Sequence, residues 1–224
     1  MAMKLLLTSG GVTNASIREE LGRMLGKPFA ECTALFIPTA QWGQPACSPE
    51  TVWMSTASRW PGEQGLTDLG WKSVGVLELT ALPSIDRDRW TGWVRDADVL
   101  LVDGGEAMYL AMWMRQSGLA ELLPSLDSVW VGVSAGSMVM TPRVGREFLD
   151  WQPEGNDDAL GVVDFSLFPH LDYPGWSSNT LEAARVWATN IAGPAYAIDD
   201  QTAISVVDGV ASVVSEGHWE QLNP

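Results

Sequence analysis

The 224-residue chain is 46% hydrophobic and 18% charged at a mean hydropathy of +0.03. This excludes global disorder and predicts one domain over 1–224 that buries its own core. Thirteen lysines and arginines against 28 aspartates and glutamates give a formal charge of −15, a field that repels phosphate backbones and anionic lipid and so excludes nucleic acid and membrane as partners.

Met1 to Thr8 holds one lysine and three leucines before polar residues begin. That apolar run is too short for a signal peptide or a membrane span, and it predicts the first strand of a cytoplasmic protein. Ser9-Gly10-Gly11 breaks the strand, and Ile17, Leu21, Met24 and Leu25 then recur at helical spacing. Ala34 to Ile37 is the second predicted strand, ended by Pro38, and helical segments follow near Pro49 to Arg59, Asp86 to Asp96 and Ala107 to Gln116. Between them lie strands at Val74 to Leu79, Val99 to Val102 and Val129 to Val133. Strands of continuous apolar character joined by helices predict an α/β protein, with a mainly parallel sheet covered by helices on both faces.

Past Met140 the prolines at 142, 153, 169 and 174 interrupt the pattern. One helix is predicted at Thr180 to Asn190, with short strands at Tyr196 to Ile198, Ala203 to Val207 and Val210 to Val214. Asp208-Gly209 between the last two predicts a C-terminal β-hairpin. Cys32 and Cys47 form no paired motif, so neither a disulfide framework nor a zinc site is expected. The 12 tryptophans are scattered, as core or crevice residues are; any that are exposed could seal a homodimer.

The chemistry concentrates in Gly132-Val133-Ser134-Ala135-Gly136, a G-x-S-x-G segment directly after an apolar strand and before a helical run. A serine at the tip of such a turn sits in strained backbone, so the residues two before and two after must be nearly free of side chain. The same glycines would also serve a plain tight turn. Read as a nucleophile elbow, the segment makes Ser134 the nucleophile and the amide of Ala135, at a helix start, an oxyanion donor. A serine hydroxyl needs a base, and only His170 and His218 exist. His170 follows a short apolar run that a strand would end at the sheet edge, so it is the preferred base. Asp200, just after Tyr196 to Ile198, is the preferred acid to orient it, with Asp199 expected to point the other way and Asp172 as a local rival. Asp103-Gly104-Gly105-Glu106 supplies a diglycine after the fourth strand, and the amide of Gly105 is the expected second oxyanion donor. No metal or organic cofactor is required by this chemistry.

These segments, with Phe36 to Ala40, Phe168-Pro169-His170 and Ile198 to Ala203, resemble the dipeptidase E and cyanophycinase family of serine peptidases. The resemblance implies a flavodoxin-like fold similar to class I glutamine amidotransferases, a triad of Ser134, His170 and Asp200, and short peptides as substrate. Two residues depart from the family pattern: Asp200 stands where glutamate is commoner, and Glu106 where asparagine is common. A substrate aspartate would need a cationic clasp, for which Arg143 and Arg146 are the candidates. Otherwise another small-peptide specificity, including recognition of the carboxyl end, stays open. Two other readings remain: an esterase of the α/β-hydrolase order Ser134, Asp200, His218, and a binding protein with an inert serine. A true amidotransferase is disfavoured, because that class carries cysteine at the elbow.

Overall fold

The computed structural model describes residues 3–56, 65–152 and 155–223. Five strands, β1 (Lys4–Thr8), β2 (Thr33–Ile37), β3 (Ser73–Val76), β4 (Val99–Val102) and β5 (Val129–Val133), pair in parallel in the order β3-β2-β4-β5-β1. Later in the chain come β6 (Ser166–Phe168), β7 (Ala195–Ile198), β8 (Thr202–Val207), β9 (Val210–Ser215) and β10 (Trp219–Asn223). Antiparallel β8 and β9 extend the sheet beyond β1 to seven strands. The predicted hairpin is β8–β9, with Asp208 and Gly209 at φ 52° and 78°. Two positive φ values in a two-residue loop give the turn that matches strand twist.

Alternate residues of the central strands face opposite layers. Leu5, Leu7, Leu100, Val102 and Trp130 join one buried cluster, while Leu6, Val99, Leu101, Val129 and Val131 join another. Helix α1 (Ala15–Leu25) closes the second face with Ile17, Leu21 and Met24. After α2 (Pro49–Thr56), helices α3 (Arg87–Asp96) and α4 (Ala107–Ser117) close the first, with Trp90, Val94, Leu110 and Met114. This two-sided burial is why the strands read as unbroken apolar runs. The N-caps are those the residue types favour: Asn14, Asp86 and Thr180 each accept from the amide three residues on. Short helices α5 (Leu119–Leu122) and α6 (Ala135–Met138) and helix α7 (Leu181–Ala188) complete the set.

Two expectations change, and a second sheet is added. The third strand stops at Val76 rather than Leu79, because Glu78 caps a 3-10 segment from Leu79 to Ser84. The helix expected over Pro49 to Arg59 is described to Thr56, its remainder lying outside the described residues. Strand β7 does not join the main sheet. It is the middle strand of a second sheet in the order β10-β7-β6, parallel to β6 and antiparallel to β10, a strand the sequence pattern did not reveal. This sheet packs on α7 through Phe168, Trp187, Ala195 and Ala197. Among the described tryptophans Trp90, Trp130 and Trp187 are core, Trp71, Trp113 and Trp151 are half-buried, and Trp42, Trp53, Trp93, Trp176 and Trp219 are exposed. No helix among the described residues is long and apolar enough to cross a membrane.

The turn after β5 is packed backbone against backbone. A Cβ on Gly132 would lie 2.3 Å from the Gly136 carbonyl oxygen, and one on Gly136 would lie 2.3 Å from that of Val102. Gly132→Ala and Gly136→Ala are each expected to destabilise the protein by about 3 kcal/mol or more, since backbone rather than a movable side chain blocks the methyl. Urea denaturation checks this; an unchanged midpoint would contradict the packing described.

Candidate active site

Parallel β4, β5 and β1 end side by side, so the residues just beyond them share one rim of the sheet. Ser134 follows β5 at φ 48° and ψ −110°, backbone that a non-glycine residue adopts at a cost of about 1–3 kcal/mol. Its amide donates to the carbonyls of Thr8 (3.0 Å) and Ser9 (3.1 Å), and the Ser137 hydroxyl donates to Thr8 O (2.7 Å). These bonds from the neighbouring strand end hold the strained tip in place. Beyond β4, Gly105 has φ +134°, and a Cβ there would lie 2.3 Å from the Ala40 carbonyl. Only glycine fits. Neither the Gly105 nor the Ala135 amide has an acceptor among the described residues, and both residues line the cleft that Ser134 opens onto.

His170 and Asp200 reach this rim from the second sheet. Because β6 and β7 run parallel in register, Phe168 beside Ala197, the residues that follow them emerge at the same end. Leu171 N donates to Ile198 O at 3.0 Å. His170 Nδ1 then meets Asp200 Oδ1 at 2.7 Å. With the ionised carboxylate on Nδ1, that nitrogen carries the proton and Nε2 remains as the basic one. The cleft, about 330 Å³, is lined by Ser134, His170, Gly105 and Ala135 together, with Met138, Phe148, Trp176 and Asn179 among its walls. Trp176 stands edge-on to the His170 ring at 4.6 Å between centroids.

One contributor escaped the sequence reading. The Ser9 hydroxyl donates to Asp200 Oδ1 (2.7 Å) and accepts from the His170 amide (2.6 Å), closing a triangle between the two sheets. Gly10 makes room for it, since a Cβ there would lie 2.8 Å from Asp200 Cβ. The signal was present as Ser9-Gly10-Gly11 after a strand, but such a turn is too common to carry a role by itself.

The other candidates sort clearly. Asp199 points away from His170, accepting from Thr202 Oγ1 and from the His218 amide. Asp172 binds His218 Nδ1 at 3.1 Å, so it does not orient His170. The order Ser134, Asp200, His218 is therefore overturned: Asp200 is committed to His170, and half-exposed His218 to Asp172. Arg143 is not a free clasp, because its guanidinium grips the buried Asp157 carboxylate through Nε and Nη2 (3.1 and 2.5 Å). Arg146 is exposed and lies off the cleft lining.

The carboxyls of the site are shifted in opposite directions. Burial pushes Asp200 up, but the bond and charge of His170, with the Ser9 hydroxyl, outweigh it and hold the group below the usual aspartate value. Burial raises Asp103, against the Ser55 and Gln41 side chains and the Gly104 amide. Burial likewise raises Glu106, which N-caps α4 by accepting from the Tyr109 amide. Among the described residues no three His, Cys, Asp or Glu side chains converge to hold a metal ion. A larger hollow, about 550 Å³, lined by Arg18, Lys27 and Phe29, contains no serine, threonine or cysteine.

Two outcomes are expected. Ser9→Ala removes a donor from Asp200 and an acceptor from the His170 amide, so it should cost about 1–3 kcal/mol and shift the Nδ1 proton resonance upfield; calorimetry and NMR check both. Burial pushes Asp157 up, but the Arg143 hydrogen bond and charge outweigh it and hold the group below 3.8. Its contribution is therefore complete above that value and lost as pH falls through the lower folded one. Asp157→Asn should thus destabilise by about 1–3 kcal/mol at neutral pH, with the gap to wild type closing at pH below 3.8 in acid-denaturation curves.

Comparison with known proteins adds the family. An uncharacterized peptidase of Listeria innocua is 29% identical over 149 residues, covering 62% of this chain and 65% of that protein. Its counterpart from Listeria monocytogenes is 26% identical over 148 residues, covering 62% and 66%. The match thus spans just under two thirds of the length of these relatives. Among solved structures, a protein from Listeria monocytogenes EGD-e named as a candidate peptidase E superposes with a TM-score of 0.68 at 20% identity, covering 97% of this chain and 100% of that one. A peptidase from an acI-B1 Actinobacterium gives 0.67 at 20% identity, covering 100% and 91%. At such identity the likeness is one of fold. The family model is decisive: it matches residues 5–214, and the chain belongs to peptidase family S51, the dipeptidase E family of serine peptidases.

Proposed function

We propose that this protein is a serine exopeptidase that hydrolyses short peptides with Ser134 as nucleophile, His170 as base and Asp200 as the acid that orients it. The observation that carries the reading is the joint presence, on one cleft, of a serine in strained backbone and an imidazole whose Nδ1 is already bound to a carboxylate. In this mechanism Nε2 of His170 takes the Ser134 proton as Oγ attacks the peptide carbonyl. The developing oxyanion rests on the amides of Gly105 and Ala135. The imidazolium, stabilised by Asp200, then protonates the departing amine, and water repeats the sequence to release the acyl group. Asp200 stays ionised through the cycle, in keeping with its lowered pKa.

A cleft of about 330 Å³ lies at the small end of ligand sites, which run from about 300 to 1,000 Å³, and this favours a short peptide over a polypeptide. Trp176 forms one wall of it beside His170. The remaining alternative is a binding protein on the same scaffold with an inert serine.

Ser134→Ala should lower kcat by about 10³-fold or more with an unchanged unfolding midpoint, and His170→Ala should do the same, whereas His218→Ala should stay within about twofold. Dipeptide turnover followed by amine release measures all three. Covalent labelling of Ser134 by a fluorophosphonate separates the peptidase from the inert binder. Turnover that survives Ser134→Ala would overturn the assignment.

A further inference from the structure

Asp103 follows β4 directly and opens the turn that carries Gly104 and Gly105, yet the reaction described above gives it no task. Two glycines in succession are the least constrained backbone a chain can hold, and something must fix them if an amide there is to meet a reacting atom. The turn is tied at both ends: Asp103 N donates to Ile37 O (3.1 Å), and Glu106 N to Ala40 O (2.9 Å). Between those ties the diglycine has one hydrogen bond among the described residues, from the Gly104 amide to Asp103 Oδ1 (2.9 Å). The carboxyl is held in turn from outside. Its Oδ2 accepts from Gln41 Nε2 (3.1 Å), in the 3-10 segment Thr39–Gly43, and from Ser55 Oγ, in the last turn of α2. An acid kept where burial disfavours its charge needs such donors. An aspartate that only shaped its own turn would need no more than the Gly104 bond, whereas the bonds from Gln41 and Ser55 set where the turn stands. That place matters, because a Cβ on Gly104 would lie 3.5 Å from Ser134 Cβ: a turn that shifts moves Gly105 relative to the nucleophile.

We infer that Asp103 is a positioning residue of the reaction: clasped by Gln41 and Ser55, it fixes the diglycine turn so that the Gly105 amide is aimed at the oxyanion formed at Ser134. The inference rests on the peptidase reading and deepens it. A donor that meets charge only in the transition state adds little to substrate binding, so misaiming it lowers kcat and leaves KM alone. Loss of a merely structural aspartate would instead lower the unfolding midpoint without separating the two constants.

The test compares Asp103→Ala and the double variant Gln41→Ala/Ser55→Ala with wild type in the full chain, by dipeptide turnover and by the affinity of a short peptide boronic acid. Boron adds to a serine Oγ as a tetrahedral anion, so its binding reads the oxyanion donors directly. Outright loss of such a donor costs about 10²–10³-fold in kcat, and misaiming one should cost less. Asp103→Ala is expected to lower kcat by about 30-fold with KM within about threefold, and to weaken the boronic acid by a similar factor. The double variant keeps the carboxyl without its anchors and should lose about fivefold in kcat, again at constant KM. The His170 Nδ1 proton resonance should stay in place in both, because neither change touches Asp200. Wild-type kcat and boronic acid affinity in Asp103→Ala, a loss carried by KM, or a displaced His170 resonance would overturn the inference while leaving the peptidase intact. Should Asp103→Ala fail to fold, the double variant decides by the same measures. A wild type with neither turnover nor boronic acid binding would overturn the peptidase reading and this inference with it.

Discussion

The Asp200 carboxylate is the point at which two sheets are joined. Its Oδ1 takes hydrogen bonds from His170 Nδ1, delivered by the small sheet, and from Ser9 Oγ, delivered by the end of β1. The same Ser9 oxygen accepts from the His170 amide. The backbone on either side is anchored as well: Thr13 Oγ1 donates to Asp200 O, and Asn14, the N-cap of α1, donates to Gln201 O. Two hydrogen bonds on one carboxylate oxygen hold both imidazole and carboxyl in one geometry, so little reorganisation is left for a reaction to pay. The ordering of the loop that carries His170 depends on the same contacts.

A second constraint is steric. Gly132, Gly136, Gly105 and Gly10 each sit where a Cβ would collide with backbone or with Asp200. Their absence of side chain lets four segments approach closely enough to share one rim: the ends of β1, β4 and β5, and the turn after β7. Close approach of backbones then substitutes for side-chain packing, with carbonyls of Thr8 and Ser9 tied to the Ser134 amide. The strain at Ser134 persists because its surroundings leave no alternative.

Charge is distributed unevenly about this rim. Asp200 is kept ionised by a partner, while Asp103 and Glu106, behind the Gly104-Gly105 turn, are pushed toward the neutral form by burial. Glu147 and Asp150 lie on the solvent side, where water supports their charge. One residue type thus serves three ends, set by how much solvent and which partner each group meets.

Much of this was legible in the chain itself. Apolar runs bounded by glycine and proline are local signals, and they marked β1, β2, β4, β5 and the β8–β9 hairpin, because burial on both faces leaves no polar positions in a central strand. Gly132 to Gly136 was legible for the same reason: the steric demand of the bend is met by residues within two positions of Ser134. What needed the tertiary structure was everything decided between distant segments. Strand β10 alternates too weakly to stand out, and only its pairing with β7 defines the second sheet. Which of 28 acids serves His170 follows from the register of β6 on β7, and the fate of Asp172 from where the chain returns with His218. Ser9 lies 161 positions from His170. A contact of that span has no periodicity and no spacing to read, because it exists only once two separately folded sheets meet.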